Sequence, residues 1–479
     1  MPIQFIDNTS IDRRTRKLIR SHVAKGKNVG RIIHRPSRYS RQRKVEIKAT
    51  TPSSVPGHEV EALSYDRNNS KSTISIQRQF QEDLSASLPF HVSPMCRRLF
   101  YQLVTFINVL PYPPELRRIV TVVNGPRLFL QYAFIDEAFF HCVVAMSVAA
   151  SASLAVTHQE TTEALRHLSR TLRLVNQRLA KDKDIALSDT TLAVVIAMTQ
   201  HERLLGYQRH ALVHFEGLQR IIELRGGISK LVTECPAIAQ KAFRADFDFA
   251  LQYGSPTRFS VEYVPGESTL GCLREKYRHA QAASADRHSC ITHVSEGLQK
   301  ALEDISTLAW LVNDYDAHQI QIEDYDFHNV LLLVGYRILN VRPLNTPLEV
   351  TDKLELLLQL GLTALMTKFF VTLGLKQPDA RLLNSCIFSA AQLECYDSKE
   401  AQELLLWLLC TGNASMSKAL NEEIWLIPKI SEVTRRLELD LRSWEDVLEI
   451  LQKFPWVSVF QDEAAQALWN QVSSSYRPL

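Results

Sequence analysis

Ser188-Asp189-Thr190-Thr191-Leu192-Ala193-Val194-Val195-Ile196-Ala197-Met198 runs without proline or glycine to Leu205-Gly206, and its reading decides the fold. Ser188 with Asp189 is helix-start chemistry, because a short side-chain oxygen can accept a free first-turn N–H. The residues after it are apolar nearly all round. A helix that touches water keeps one polar face, so this one is expected at the centre of a helical assembly. Beyond Gly206 the pattern changes to a single stripe of Leu212, Phe215, Leu218, Ile221 and Ile222. That spacing predicts an amphipathic helix, stopped at Arg225-Gly226-Gly227, where glycine permits the left-handed terminating residue.

Working outward, Leu99, Leu103, Phe106, Ile107 and Leu110 also recur at helical spacing. Further helices are expected around 135–156, 159–180, 234–253, 293–312, 326–341, 348–373, 399–410, 420–437, 443–453 and 461–474. Period-two alternation bounded by turn residues is hard to find, so residues 93–479 read as an all-α body, a large helical bundle or array. Asp314-Tyr315-Asp316-Ala317-His318 recurs ten residues on as Asp324-Tyr325-Asp326-Phe327-His328, but no longer period repeats, which argues against a regular solenoid.

The 479 residues are 46% apolar and 22% charged, ordinary values for a globular chain with a substantial core. The net charge of +3 hides an asymmetry: residues 1–48 hold 14 Lys/Arg against 3 Asp/Glu. This is a basic arm, with clusters at Arg13, Arg14, Arg16, Lys17 and Arg20, at Lys25 and Lys27, and at Arg41, Arg43 and Lys44. Ser10 to Lys25 could form a helix, though one charged on most of its surface orders only against a polyanion. Residues 49–92 are rich in Thr, Ser, Pro, Asn and Gln and read as a flexible linker. The arm with its linker is expected to be disordered.

The longest apolar run, Ala138 to Val156, carries His141 and three serines, too polar for a segment that must cross about 20 residues of hydrocarbon. Arg and Lys stand where a secretory apolar region would sit. The charges cluster rather than follow an amphipathic face, which favours nuclear over organelle import. The eight cysteines come no closer than nine residues, so the short ligand spacing of structural zinc sites is absent, and they read as buried reduced thiols.

Phosphate-cradling loops and hydrolase elbows are missing. The two Asp/His segments could supply metal ligands, but they read better as a junction in which Asp324 or Asp326 caps a helix beginning near Phe327. His210 and His214 share a helix face, yet Ala211 stands where a metalloprotease needs Glu. No catalytic residue, metal or cofactor is expected. A metal-dependent enzyme on a helical scaffold is the remote alternative.

Ser188-Asp189-Thr190-Thr191-Leu192, Glu202, Gly206, His214, Gly217-Leu218, Ile221-Ile222 and Arg225-Gly226-Gly227 together resemble the regulatory domain of fungal-specific transcription factors. Phe243-Arg244-Ala245-Asp246-Phe247, Gly254 and Arg258-Phe259 continue the likeness, and Arg166-His167-Leu168 to Leu179 is similar to the preceding helix. Ala211 departs from the tryptophan often found there. Family members typically carry six N-terminal cysteines that hold a zinc binuclear cluster. Here the first cysteine is Cys96, and Arg16-Lys17-Leu18-Ile19-Arg20-Ser21-His22-Val23 is similar to a basic motif opening members without that cluster.

The resemblance implies an all-helical regulatory domain and a nuclear regulator of transcription, with control of a secondary-metabolite gene cluster as one such role. The expected partners are DNA through the arm, an import receptor, and the transcription machinery or a homo- or hetero-dimer partner; no membrane is among them. The alternative is a cofactor that pairs with zinc-cluster relatives without touching DNA.

Overall fold

The computed structural model describes residues 90, 92–109, 116–121, 129–154, 162–181, 183–280, 294–314, 320–346, 352–370, 380–393, 398–415, 422–438 and 443–475. The helices are α1 (Pro94–Val109), α2 (Tyr132–Ile135), α3 (Glu137–Leu154), α4 (Thr162–Lys181), α5 (Lys183–Ala186) and α6 (Asp189–Leu204). Then come α7 (Gln208–Arg225), α8 (Ile228–Glu234), α9 (Pro236–Tyr253), α10 (Glu267–Lys276), α11 (Glu296–Asn313) and α12 (Asp324–Val341). The remainder are α13 (Lys353–Phe369), α14 (Arg381–Ala391), α15 (Lys399–Ser415), α16 (Glu422–Arg436), α17 (Trp444–Leu451) and α18 (Ser458–Ser475). The fold is all-α, as the apolar spacing predicts.

Packing proceeds by neighbours. α3 lies against α1, α4 and α6; α6 pairs with α7 and meets α9; α9 meets α12. α12 sits between α11 and α13, α13 pairs with α15, and α15 closes on α16, α17 and α18. One apolar cluster runs through the described residues from Val92 to Val472. Each fully buried Leu or Phe contributes about 1.5–3 kcal/mol, enough for helices to be held by their faces without a sheet.

Helix α6 is the buried axis the opening sequence implies. Every residue from Thr191 to Thr199 is buried. The Ser188 side chain accepts the Thr191 N–H, which caps the start. Its two buried threonines donate to main-chain carbonyls, Thr191 to Ile185 at 2.8 Å and Thr199 to Val195 at 2.9 Å, so neither leaves a hydroxyl unpaired. α7 ends where Gly226 and Gly227 take φ of 115° and 92°. There Gly227 N–H closes on the Ile222 carbonyl at 2.9 Å.

The strands among the described residues are two-residue pieces, β1 (Val120–Thr121) and β2 (Ile322–Glu323), which pair in parallel with Val120 opposite Ile322. They lash the segment before α2 to the start of α12.

Three expectations need correction. α12 starts at Asp324, three residues before Phe327, with Glu323 in the N-cap place and no side-chain cap. Asp324 and Asp326 instead occupy the first turn, where the helix dipole favours carboxylates. Cys96, Cys142 and Cys410 are buried, but Cys235 and Cys386 are half-buried and Cys272 is exposed; none of these six is disulfide-bonded. The short helices α2, α5, α8, α10 and α14 add to the set that apolar spacing predicts. No helix among the described residues is long and apolar enough to cross a membrane.

Candidate functional site

The basic residues Arg13, Arg14, Arg16, Lys17, Arg20, Lys25, Lys27, Arg41, Arg43 and Lys44 lie outside the described residues, as do Asp316 and His318. What the structure does place is the motif-bearing stretch from α6 to α9, where ionisable side chains converge on buried carboxylates.

Glu202, near the end of α6, is buried. His201 Nδ1 lies 3.4 Å from its Oε1 and His210 Nδ1 3.2 Å from its Oε2. Burial pushes the Glu202 carboxyl up, but His201, His210 and His214 together bring it below the usual carboxylate range. His214 is held neutral, chiefly by burial. The four-residue spacing of His210 and His214 therefore does bring both rings to one side, where they serve a carboxylate.

Asp248 of α9 takes a hydrogen bond from Arg203 of α6 and another from Arg244 Nε at 3.0 Å. Burial alone would raise its pKa; the two guanidinium groups outweigh it and keep the pKa low. Arg244 also lies 4.2 Å over the Phe370 ring. Asp246, two residues earlier on α9, accepts the Arg258 N–H and the Phe259 N–H, each at 2.9 Å, and the Tyr336 hydroxyl at 2.8 Å. Its pKa is nonetheless raised, burial being the largest cause. Arg225 joins three elements: its guanidinium meets Asp189 at the start of α6 and Glu234 of α8 at 3.3 Å.

Beside these, Lys241 and His328 are basic groups whose charged forms burial disfavours. Burial, then Arg244, brings the Lys241 ammonium down to about 8. Burial, then Lys241 and Arg244, pushes the His328 imidazole well below its ordinary value. His328 Nε2 is buried without a hydrogen-bond partner. The Asp/His segment around Asp324 does not form a ligand cluster among the described residues.

A different group does. Cys96 of α1 with Glu163 and His167 of α4 bring a thiol, a carboxylate and an imidazole within 4.8 Å of one another. Sequence spacing hides it, because 67 positions separate Cys96 from Glu163. The legible half is Glu163 and His167, four apart on an expected helix.

The Glu202 and Asp248 pairs thus tie α6 to α7 and α6 to α9, while the aromatic rings between the helices supply the apolar mass. This is a framework built to hold shape. Residues 119–264 match the fungal specific transcription factor domain. The match starts beside β1 and ends at Val264, so it takes in α2 to α9 and the three carboxylates just described, Glu202, Asp246 and Asp248. It spans under a third of the chain. The resemblance carried by Ser188 to Phe259 holds over that segment, and the matched domain supports a role in transcription regulation. No curated protein and no solved structure matches the chain.

Proposed function

We propose that this chain is a nuclear regulator of transcription whose arm, residues 1–48, mediates import and sequence-blind DNA attraction while the body, residues 93–479, recruits partners. The observation that carries the reading is the transcription factor domain over residues 119–264, set behind a segment with 14 Lys/Arg against 3 Asp/Glu. Cations that neutralise phosphates release counterions, so binding through the arm is steeply salt-dependent. Control of a secondary-metabolite gene cluster is the pathway role we favour, by analogy with the family.

Full-length chain titrated with duplex DNA at several salt concentrations tests this. Each phosphate contact adds about −0.9 to the slope of log affinity against log salt. Replacing Arg13, Arg14, Arg16 and Lys17 by Ala should flatten the slope by about 3 to 4. A salt-independent affinity overturns DNA contact, and equal nuclear signal from fluorescent fusions with and without residues 1–48 overturns import.

A second reading, a dimerising cofactor that does not touch DNA, is favoured by α4. Leu165, Leu172 and Leu179 stand on it at seven-residue intervals and are 43%, 37% and 49% exposed. Exposed leucines at that spacing suit a helical partner. If Leu172→Glu leaves partner capture unchanged in a folded chain, this second reading fails.

A further inference from the structure

The Cys96, Glu163 and His167 cluster has the composition, charge and surroundings of a transition-metal site, and we propose that it binds one zinc ion. A thiolate, a carboxylate and an imidazole are the donor types that zinc accepts together. Ionised, the set carries two negative charges, which balance a divalent cation. Hard oxygen-seeking cations such as magnesium find only one carboxylate here, and thiolate favours the softer metal.

The three donors come from two helices that do not adjoin in sequence. Cys96 is fully buried in the first turn of α1, and His167 faces inward from α4. Glu163 sits one turn before His167. Its Oε1 accepts the Ser93 hydroxyl at 2.6 Å, and Ser93 Oγ also accepts the Cys96 N–H at 3.2 Å. Ser93 therefore positions both the carboxylate and the start of the helix that bears the thiol. A carboxylate has a second oxygen with lone pairs of its own, so this bond does not use up Glu163 as a ligand.

The surroundings of His167 add independent support. His167 Nδ1 lies 2.8 Å from His141 Nδ1 of α3, and a His167 that donates this proton would offer Nε2 to the metal. His141 Nε2 lies 3.7 Å from Glu137 Oε1, and Glu137 is held by Arg170 Nε at 2.8 Å. The tautomer in which His167 donates Nδ1–H to His141 is the one that a metal bound at His167 Nε2 requires. Ligating histidines almost always donate their other N–H to a hydrogen-bond acceptor, a place that His141 Nδ1 takes here. Binding releases the Cys96 proton to solvent as the sulfur–zinc bond forms, so uptake is accompanied by acidification. Three protein ligands leave a fourth tetrahedral position for water or an incoming donor. The ion would clamp α1 to α4.

The test uses the full-length chain, purified after growth with zinc and dialysed against metal-free buffer. Elemental mass spectrometry should find one zinc per chain, falling to near zero in Cys96→Ser and in His167→Gln, and unchanged in the surface control Cys272→Ser. His141→Gln, a positioning change, should weaken zinc about 10- to 100-fold in competition with a chromophoric chelator. Cobalt exchanged into the unmodified chain should show tetrahedral d–d bands and a thiolate charge-transfer band. That measurement needs no variant to fold. Absence of zinc and of the cobalt thiolate band, or a Cys96→Ser chain that folds and keeps its zinc, overturns the proposal.

Discussion

Trp407 is fully buried and donates its indole N–H to the Pro455 carbonyl at 3.1 Å, and it keeps that pose only because residue 361 has no side chain. A Cβ on Gly361 would collide with the Trp407 ring. Gly361→Ala should therefore cost about 1–3 kcal/mol of stability, read from urea unfolding, because overpacking forces a rigid ring to shift. Asp246 is the other residue on which much rests. Asp246→Ala strands the Arg258 and Phe259 N–H groups, while the Tyr336 hydroxyl keeps the Phe243 carbonyl at 3.2 Å; at about 1–3 kcal/mol for each stranded group the loss should be about 2 kcal/mol or more. Asp246→Asn, which keeps one carbonyl acceptor, should lose less. Asp246 is visible in the sequence as part of a motif, but its reason is not. Its donors lie 12, 13 and 90 positions away, and no local pattern encodes distances of that kind.

Single glycines decide the behaviour of α7. Gly227, with φ 92° and ψ 170°, occupies backbone space that only glycine enters without strain. Gly227→Ala should destabilise by about 1–3 kcal/mol. Gly217, within the same helix, faces open space: a Cβ added there would meet no atom within 4 Å. It should behave oppositely, Gly217→Ala stabilising by about 0.5–1 kcal/mol. Thermal melts of the two variants side by side check both signs. Helices α6 and α7 are legible because a capping serine, a dense apolar run and a terminating glycine pair all mark the same limits. The seven residues of α8 hold fewer than two turns, too few for a 3.6-residue period to show. α10 starts after Gly266, which has no side chain to announce a cap. The metal-type cluster is hidden for a related reason, since α1 and α4 each supply only part of it.

At the scale of the whole molecule, buried histidines make stability depend on pH. His214 and His328 have folded pKa values below the ordinary 6.5, burial being the main cause in both. The unfolded chain then binds more protons than the folded one between those values and 6.5, so stability falls as pH drops below about 6.5. His328 faces Lys241 and Arg244 of α9 and the Phe370 ring beyond α13, surroundings that disfavour its charged form. His328→Leu should remove up to about one proton from the linkage, flattening the slope by up to about 1.4 kcal/mol per pH unit, as measured by denaturant unfolding below about pH 6. Below about pH 4.5 a second loss sets in. Glu202 and Asp248 have depressed folded values, and the stability they add above their ordinary pKa vanishes as pH falls through the folded ones. The order of helices also says where this protein can be cut. Tyr336, Asn329 and Gly335 of α12 serve Asp246, Gln240 and Phe247 of α9, although α12 begins 60 positions after the family match ends. A truncation finishing at Val264 would strip that wall away and wet a bank of phenylalanines. Boundaries chosen by homology alone should therefore yield inclusion bodies, and screening libraries for soluble pieces should return only clones that read through residue 341.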